Sequence, residues 1–450
     1  MGRRPGAEGG NRPGPPALPH SLPVPGLPAS IGPMSQLTDD CFSFGGALMP
    51  LDEALERLRA RVSPVTEADT VPLTAALGRI LARDVTAPFD VPPHDNAAVD
   101  GYAVFFDDLS PDGGAVLPVT GRVAAGQTLG RDGRRGEAVR IFTGAPMPGG
   151  FDTVLMQEDC RAGDGTVTIP PGIKRGANRR SAGEDLARGG LVLGQGRRLR
   201  PEDIGLLASI GLCDVPVRRT LRVAVFSTGD EVREPGVGLE PGAIYDANRF
   251  ALMAALAGLG CAVTDLGILP DREDAIRAAL EGAAAGHDAL ITSGGMSTGE
   301  EDHVKAAVET AGSLHFWRLA IKPGRPVALG RMDGTAFIGL PGNPVAVMVT
   351  FMLIARPLLL RMMGAADQEP RTIPVRTGFA VKKKPGRREF VRSRLVRGDD
   401  GALVALKHPR DGAGVLSSLA ESDGLVILGE DVARLEPGTV VDFLPFSEVR

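Results

Sequence analysis

Two segments rich in glycine and hydroxyl residues, each ending in acids, are the parts of this chain best suited to chemistry. The first is Ser227-Thr228-Gly229-Asp230-Glu231. The second runs Thr292-Ser293-Gly294-Gly295-Met296-Ser297-Thr298-Gly299-Glu300-Glu301-Asp302. Glycines let a backbone approach phosphate oxygens, Ser and Thr add donors, and carboxylates can hold Mg2+. Neither segment is a Walker A loop, since no GxxxxGK[ST] occurs, and neither matches GxGxxG. One such loop is an ordinary tight turn. Two at consecutive strand ends of one sheet point to an anionic ligand.

Three further segments could serve the same chemistry. In Trp317-Arg318-Leu319-Ala320-Ile321-Lys322-Pro323-Gly324-Arg325-Pro326, the cations Lys322 and Arg325 flank a Pro-Gly bend. That suits phosphate or another oxyanion, and equally suits solvated charges on a hairpin. Gly339-Leu340-Pro341-Gly342-Asn343-Pro344 opens a long apolar run, with proline placed for a helix start and free N–H groups that favour an anion. Asp95 and Asp100 lie near Tyr102, one of only 2 tyrosines, and could contact a substrate. Asp100-Gly101 also reads as a hairpin turn.

The composition excludes several classes. The net charge of -5 gives no basic footprint for nucleic acid. Cys41, Cys160, Cys213 and Cys261 are far apart, which is neither a disulfide framework nor a zinc site and suits a reducing cytoplasm. The 6 histidines show no HExxH, so a Cys or His nucleophile is not what the chain advertises. The apolar run 345–360 is interrupted by Arg356-Pro357 and falls short of the ~20 residues of a membrane span, so it reads as a buried helix. Residues 1–33 are dense in Pro and Gly and present no apolar face to bury. No apolar segment follows Arg3-Arg4, so no export signal is expected, and Met34 is an alternative start.

Positioning these segments requires a definite set of elements. With 450 residues, 43% of them hydrophobic and 23% charged, the chain is globular and too long for one core. Leu51, Ala54, Leu55 and Leu58 recur at helical period. Residues 70–190 show short β-like runs at 115–119, 138–142, 153–157 and 165–169, broken by Gly and Pro. A short helix follows over 201–212. From 221 to 364 strand and helix alternate: strand 221–226, a helix on Leu252, Met253, Leu256 and Leu259, strand 262–269, a helix on Ile276 and Leu280, strand 289–292. That spacing means βαβ units around a parallel sheet. After Gly364 β-like runs return, which predicts a small barrel or sandwich.

Taken in order, these segments resemble the MoeA family of molybdopterin molybdenumtransferases, which includes the C-terminal part of gephyrin. The resemblance runs from about Phe44 to the C-terminus, and also rests on Thr143-Gly144-Ala145-Pro146 with Glu158, Gly183-Glu184-Asp185, Asp271 after Leu269-Pro270, and Pro385-Gly386-Arg387 with Arg392. It implies a multidomain α/β plus β protein. On this sequence the plan gives an unstructured extension 1–45, a discontinuous linker domain 46–85 and 186–219, a small β domain 86–185, a molybdopterin-binding α/β domain 220–367 and a C-terminal β domain 368–450.

The resemblance also implies an activity. Molybdate is inserted into adenylylated molybdopterin with release of AMP, in a homodimer that requires Mg2+, with the molybdopterin adenylyltransferase as a further partner. Carried over position by position, Asp95, Thr143, Asp185, Glu231, Asp271 and Asp302 are the catalytic candidates. Thr228, Gly229, Gly294, Gly295, Ser297, Lys322, Arg325, Pro341, Asn343, Arg387 and Ser417 are substrate-binding candidates, and Glu231 with Asp302 the Mg2+ ligands. The sequence departs from the family pattern at Ala97, Val99, Arg318 and Ala346. Related adenylyltransferases and competence-damage proteins share only the α/β part. A scaffold role, as in gephyrin, fits poorly with the retained Asp95, Glu231, Asp302 and Lys322. Molybdate and tungstate, both tetrahedral dianions, stay open as alternatives.

Overall fold

The structure, a computed structural model, describes residues 48–111, 114–295, 303–366 and 368–449. At its centre is a six-stranded sheet in the order Ala262–Leu269, Arg222–Thr228, Ala289–Ser293, Thr335–Leu340, Pro326–Met332, Gly312–Arg318. The first four strands pair in parallel. Pro326–Met332 alone runs against its neighbours, because it is the middle strand of a meander. Asp333-Gly334, both with positive φ, form the two-residue turn of that meander.

Both faces of the sheet are buried. Val223 and Val225 enter one core and Ala224 and Phe226 the other, so the strand reads as a continuous apolar run. Helix Ala247–Leu259 and the long helical run 344–362 cover the first face. Helices Glu273–Ala284 and His303–Ala311 cover the second. Leu252, Leu256 and Leu259 form the buried stripe of their helix. Each leucine fully buried in this way contributes about 1.5–3 kcal/mol. Asp246 caps that helix by accepting from the Arg249 N–H at 3.1 Å, and Gly260 ends it in the left-handed conformation.

The run Pro344–Met362 is long and apolar enough to cross a membrane, yet 78% of its most apolar window is buried by the rest of the protein. Its apolar surface is therefore taken up by the core. A π turn over Phe351–Ala355 interrupts it just before Pro357. The wider turn accommodates a residue that has no N–H and whose ring crowds the preceding carbonyls.

Before the central sheet, Ala68–Pro72 pairs with Asp214–Arg218 and Val85–Thr86 with Leu191–Leu193. Between them lies a six-stranded sheet in the order Thr153–Met156, Gly101–Val104, Ala138–Ile141, Ala115–Val123, Thr166–Ile169, Arg161–Gly163. Asp100-Gly101 is not a hairpin turn. Gly101 starts a strand held on both sides, by Ala138–Ile141 and Thr153–Met156. After the central sheet, strands Arg388–Arg397, Leu403–Lys407, Ile373–Thr377, Val440–Pro445 and Gly424–Leu428 close into a five-stranded barrel. Ile321–Lys322, from the meander, adds to it in parallel at Arg388 and Glu389.

Candidate functional site

The carboxyl ends of the parallel strands converge on a cavity of about 250 Å3, where open α/β sheets characteristically bind ligands. Strand Arg222–Thr228 delivers Ser227, Thr228, Gly229 and Glu231 to it, and Ala289–Ser293 delivers Ser293, Gly294 and Gly295. Asp271 follows Ala262–Leu269, and Gly342 and Pro344 follow Thr335–Leu340. Gly229 has φ +124°, and a Cβ there would sit 2.6 Å from Glu231 Oε2, so the turn keeps the carboxylate folded back over it. The described lining contains Glu231, Asp246 and Asp271, one histidine (His303), and neither Lys nor Arg.

Asp246 is already engaged. It takes the Arg249 Nε at 2.9 Å, and Arg249 is also paired with Glu234 and Asp265. This guanidinium is 2% exposed. Burial works to depress its pKa, but the hydrogen bonds it donates to Asp246 and Asp265 outweigh that and the pKa is raised. A buried cation ringed by carboxylates fixes the excursion 229–246 against helix and sheet. Asn248 Nδ2 donates to the Gly342 carbonyl at 2.7 Å and ties that helix to the loop ahead of Pro344. Asn248, Asp246 and His303 escape a reading of the sequence. The Asp cap before an apolar stripe was the available signal for Asp246.

A second cavity, of about 190 Å3, lies between the meander bend and the barrel and contains Lys322, Pro323, Glu389, Arg392, Lys407 and Asp411. Lys322 Nζ pairs with Glu389 at 3.1 Å and Lys407 with Asp411 at 2.6 Å. Arg392 is 5% exposed, donates to the Arg410 carbonyl at 3.2 Å, and its Nε has no hydrogen-bond partner. Burial pulls its pKa down. The Val345 N–H donates to the carbonyl of Ala413, which lines this second cavity, so the loop ahead of Pro344 stands between the two. Lys322 is thus not in the cavity of the glycine-rich loops. Pro341 is buried and Asn343 exposed on that intervening loop, and Arg325, Arg387 and Ser417 are half-buried nearby in sequence to the bend and barrel elements.

Asp95, Thr143 and Asp185 lie on neighbouring loops of the small β region, and none lines the first cavity of its own chain. Asp95 accepts from the Ala182 N–H at 2.8 Å and lies 3.6 Å from Arg179. Its carbonyl takes the Met147 N–H at 2.8 Å, and the Asp185 N–H reaches Val91 at 2.9 Å. Thr143 donates to Asp100 Oδ1 through its N–H at 2.8 Å and its hydroxyl at 2.7 Å. These bonds, the backbone one first, hold the Asp100 carboxyl below its usual range. Ser297 and Asp302 lie outside the described residues.

An α/β domain with an acid-lined cavity at its strand ends, a β region before it and a barrel after it define a class. Residues 224–361 match a probable molybdopterin binding domain. Residues 49–211 match the MoeA N-terminal region (domain I and II), and 374–446 the MoeA C-terminal region (domain IV). The chain belongs to the MoeA family. It is 37% identical to a molybdopterin molybdenumtransferase of Haemophilus influenzae, over 89% of this chain and 100% of that one. It is 36% identical to molybdopterin molybdenumtransferase 2 of Mycobacterium tuberculosis, over 85% and 96%. A solved molybdopterin biosynthesis MoeA protein from Pyrococcus horikoshii superposes with a TM-score of 0.77 at 30% identity, covering 88% of this chain and 100% of that one.

Proposed function

We propose that this chain inserts molybdate into adenylylated molybdopterin and releases AMP, acting as a Mg2+-dependent cytoplasmic homodimer. The observation that carries this reading is the acid-lined cavity with no described Lys or Arg. A pyrophosphate would be repelled there unless a divalent cation stood between it and the carboxylates. The donor set suits that role. Mg2+ usually takes one or two carboxylates, with substrate phosphates and water completing its shell. Among the described residues no three His, Cys, Asp or Glu side chains cluster to form a closed metal site, which this mode of binding does not need. Glu231 and Asp302 would hold the ion, with Asp271 beside Glu231. When bound, it offsets charge on the pyrophosphate.

The remaining roles fall to the chain itself. Thr228, Gly229, Gly294, Gly295 and Ser297 offer hydroxyl and N–H donors to phosphate, and Pro341 and Asn343 shape the wall shared with the second cavity. Lys322 and Arg325, with Arg387 and Ser417, receive the oxyanion that supplies molybdenum. Buried Arg392 adds charge to that cavity. The two dithiolene sulfurs bond to molybdenum while their protons leave with one oxide of molybdate as water, and hydrolysis of the pyrophosphate linkage frees AMP. Asp95, Thr143 and Asp185 act on the cavity of the other subunit, since none lines the cavity of its own chain. The adenylyltransferase that makes the substrate is the natural donor partner.

Incubation of the purified protein with adenylylated molybdopterin tests this directly. AMP release should require both molybdate and Mg2+; release indifferent to molybdate would remove the proposed activity. The shared site has its own test. Verified heterodimers of an Asp95→Asn subunit with an Asp302→Asn subunit should recover part of the activity that each variant homodimer lacks, and none would return if each site were built from one chain.

A further inference from the structure

One row of side chains on the small β sheet has no role in the foregoing. Tyr102 is the register partner of Arg140, and Arg140 of Arg122, across three adjacent strands. Their side chains therefore share one face. Phe142 follows Arg140 by two residues. The Arg140 guanidinium lies 5.2 Å from the Tyr102 ring centroid and 4.7 Å from that of Phe142. Arg122 lies 4.5 Å from Phe142. Rings and planar cations thus alternate outward from buried Tyr102 to exposed Arg122.

The two ends of the row differ. Arg140 is anchored, donating to Gln157 and, at 3.2 Å, to the Gly101 carbonyl. Arg122 makes no ion pair among the described residues. It also stands where strand Ala115–Val123 has run past its pairing with Thr166–Ile169, which ends at Pro118. A flat cation already held against a ring loses little freedom on meeting a ligand, and among the described residues no carboxylate pairs with its charge.

We propose that this row is a binding platform for a planar heteroaromatic anion, the ring stacking on the Phe142–Arg122 end while its phosphate or carboxylate meets the unpaired charge of Arg122. The source of such a ligand rests on the function proposed above. Adenylylated molybdopterin carries two flat heterocycles, adenine and pterin, each linked to phosphate. Thr143, next to Phe142, places the row beside a residue assigned to the reaction.

The experiment is calorimetric titration of the full chain with three probes: AMP, pterin-6-carboxylate and ring-free inorganic pyrophosphate. Circular dichroism and melting temperature check that the variants fold. Arg122→Ala and the shape-sparing Phe142→Leu should each weaken at least one ring-bearing probe by about three- to tenfold, and Phe142→Leu should change pyrophosphate less. Whichever of AMP and the pterin responds identifies the ring. Wild-type affinity for both ring-bearing probes in either variant overturns the platform, as does an equal loss for pyrophosphate in Phe142→Leu, which would reduce the row to surface charge. Failure of wild-type protein to bind either ring also overturns it. These readings need no turnover, so a missing AMP-release activity would remove the proposed function and leave the platform standing on its own result.

Discussion

The two ends of the central sheet treat their carboxylates in opposite ways. At the amino ends, Asp288 accepts from Arg219 at 3.0 Å through both oxygens, from the Arg222 N–H at 2.7 Å and from the Arg222 side chain at 3.2 Å. Its side chain is 9% exposed. At the carboxyl ends, Glu231 faces a cavity whose described lining has no Lys or Arg. The first arrangement completes its charges internally and locks strand to strand. The second leaves charge directed at a space, which costs stability unless something cationic arrives. An acid satisfied within the protein belongs to the fold, and one aimed at a cavity without a cation belongs to a ligand.

That contrast is broken most severely at Glu231. Glu231→Gln keeps the shape and removes the charge, so molybdate-dependent AMP release should fall by roughly 100-fold or more, on the order of 3 kcal/mol in the barrier. Melting temperature should hold or rise slightly, because the lining acids repel one another less. Asp302→Asn should behave alike. Thermal melts and AMP release on the same preparations decide it. A destabilised Glu231→Gln protein with normal turnover would mean that this acid belongs to the fold after all.

Asp288 should show the reverse. Removing one partner from a largely buried ion pair leaves Arg219 uncompensated, so Asp288→Ala should lose about 3 kcal/mol of stability, while the folded fraction turns over normally. Burial works to raise the Asp288 pKa, but the hydrogen bonds from Arg219 and Arg222 prevail and it is lowered from 3.8. A carboxyl with a depressed native pKa contributes stability above its unfolded value and loses it as pH falls through its native one. The stability gap between wild type and Asp288→Ala should therefore be level at neutral pH and narrow below about pH 4. Denaturant melts across that range check it; a gap that widens in acid would contradict the assignment.

The contrast also explains what a sequence can and cannot show. The apolar strands and the glycine-rich loops were legible because their signals are local: Val223 to Phe226 is one apolar run, and Ser227-Thr228-Gly229 follows it directly. The Asp288 clamp was not, since its partners lie 66 and 69 residues away and only sheet pairing brings them together. Arg249 met Asp265 in the same hidden way. The β-like runs pointed to a small barrel or a sandwich, and the barrel is the outcome because Ile373–Thr377 meets Val440–Pro445, a pairing the runs themselves do not reveal. Lys322 was legible as a cation on a bend. Its separation from the glycine-rich loops arises only because the bend adds a strand to the barrel at Arg388.

The smallest effect is expected at Lys322, and it sharpens the contrast because this residue mixes both behaviours. Its ammonium is 58% exposed and paired with Glu389, which is 12% exposed. An exposed pair of this kind contributes about 0–1 kcal/mol, so on the fold alone Lys322→Ala would cost little stability and nothing else. Lys322 also shares its cavity with Arg392, a buried cation whose Nε has no partner. Two positive groups facing one space, one of them incompletely bonded, favour an oxyanion between them. Lys322→Ala should then raise the molybdate concentration for half-maximal AMP release by about three- to tenfold with the maximal rate largely kept. Lys322→Arg, which keeps the charge, should restore most of that affinity. A molybdate titration of the three proteins separates the readings. If Lys322→Ala saturates at the wild-type concentration, Lys322 is a surface ion pair and the oxyanion is held elsewhere.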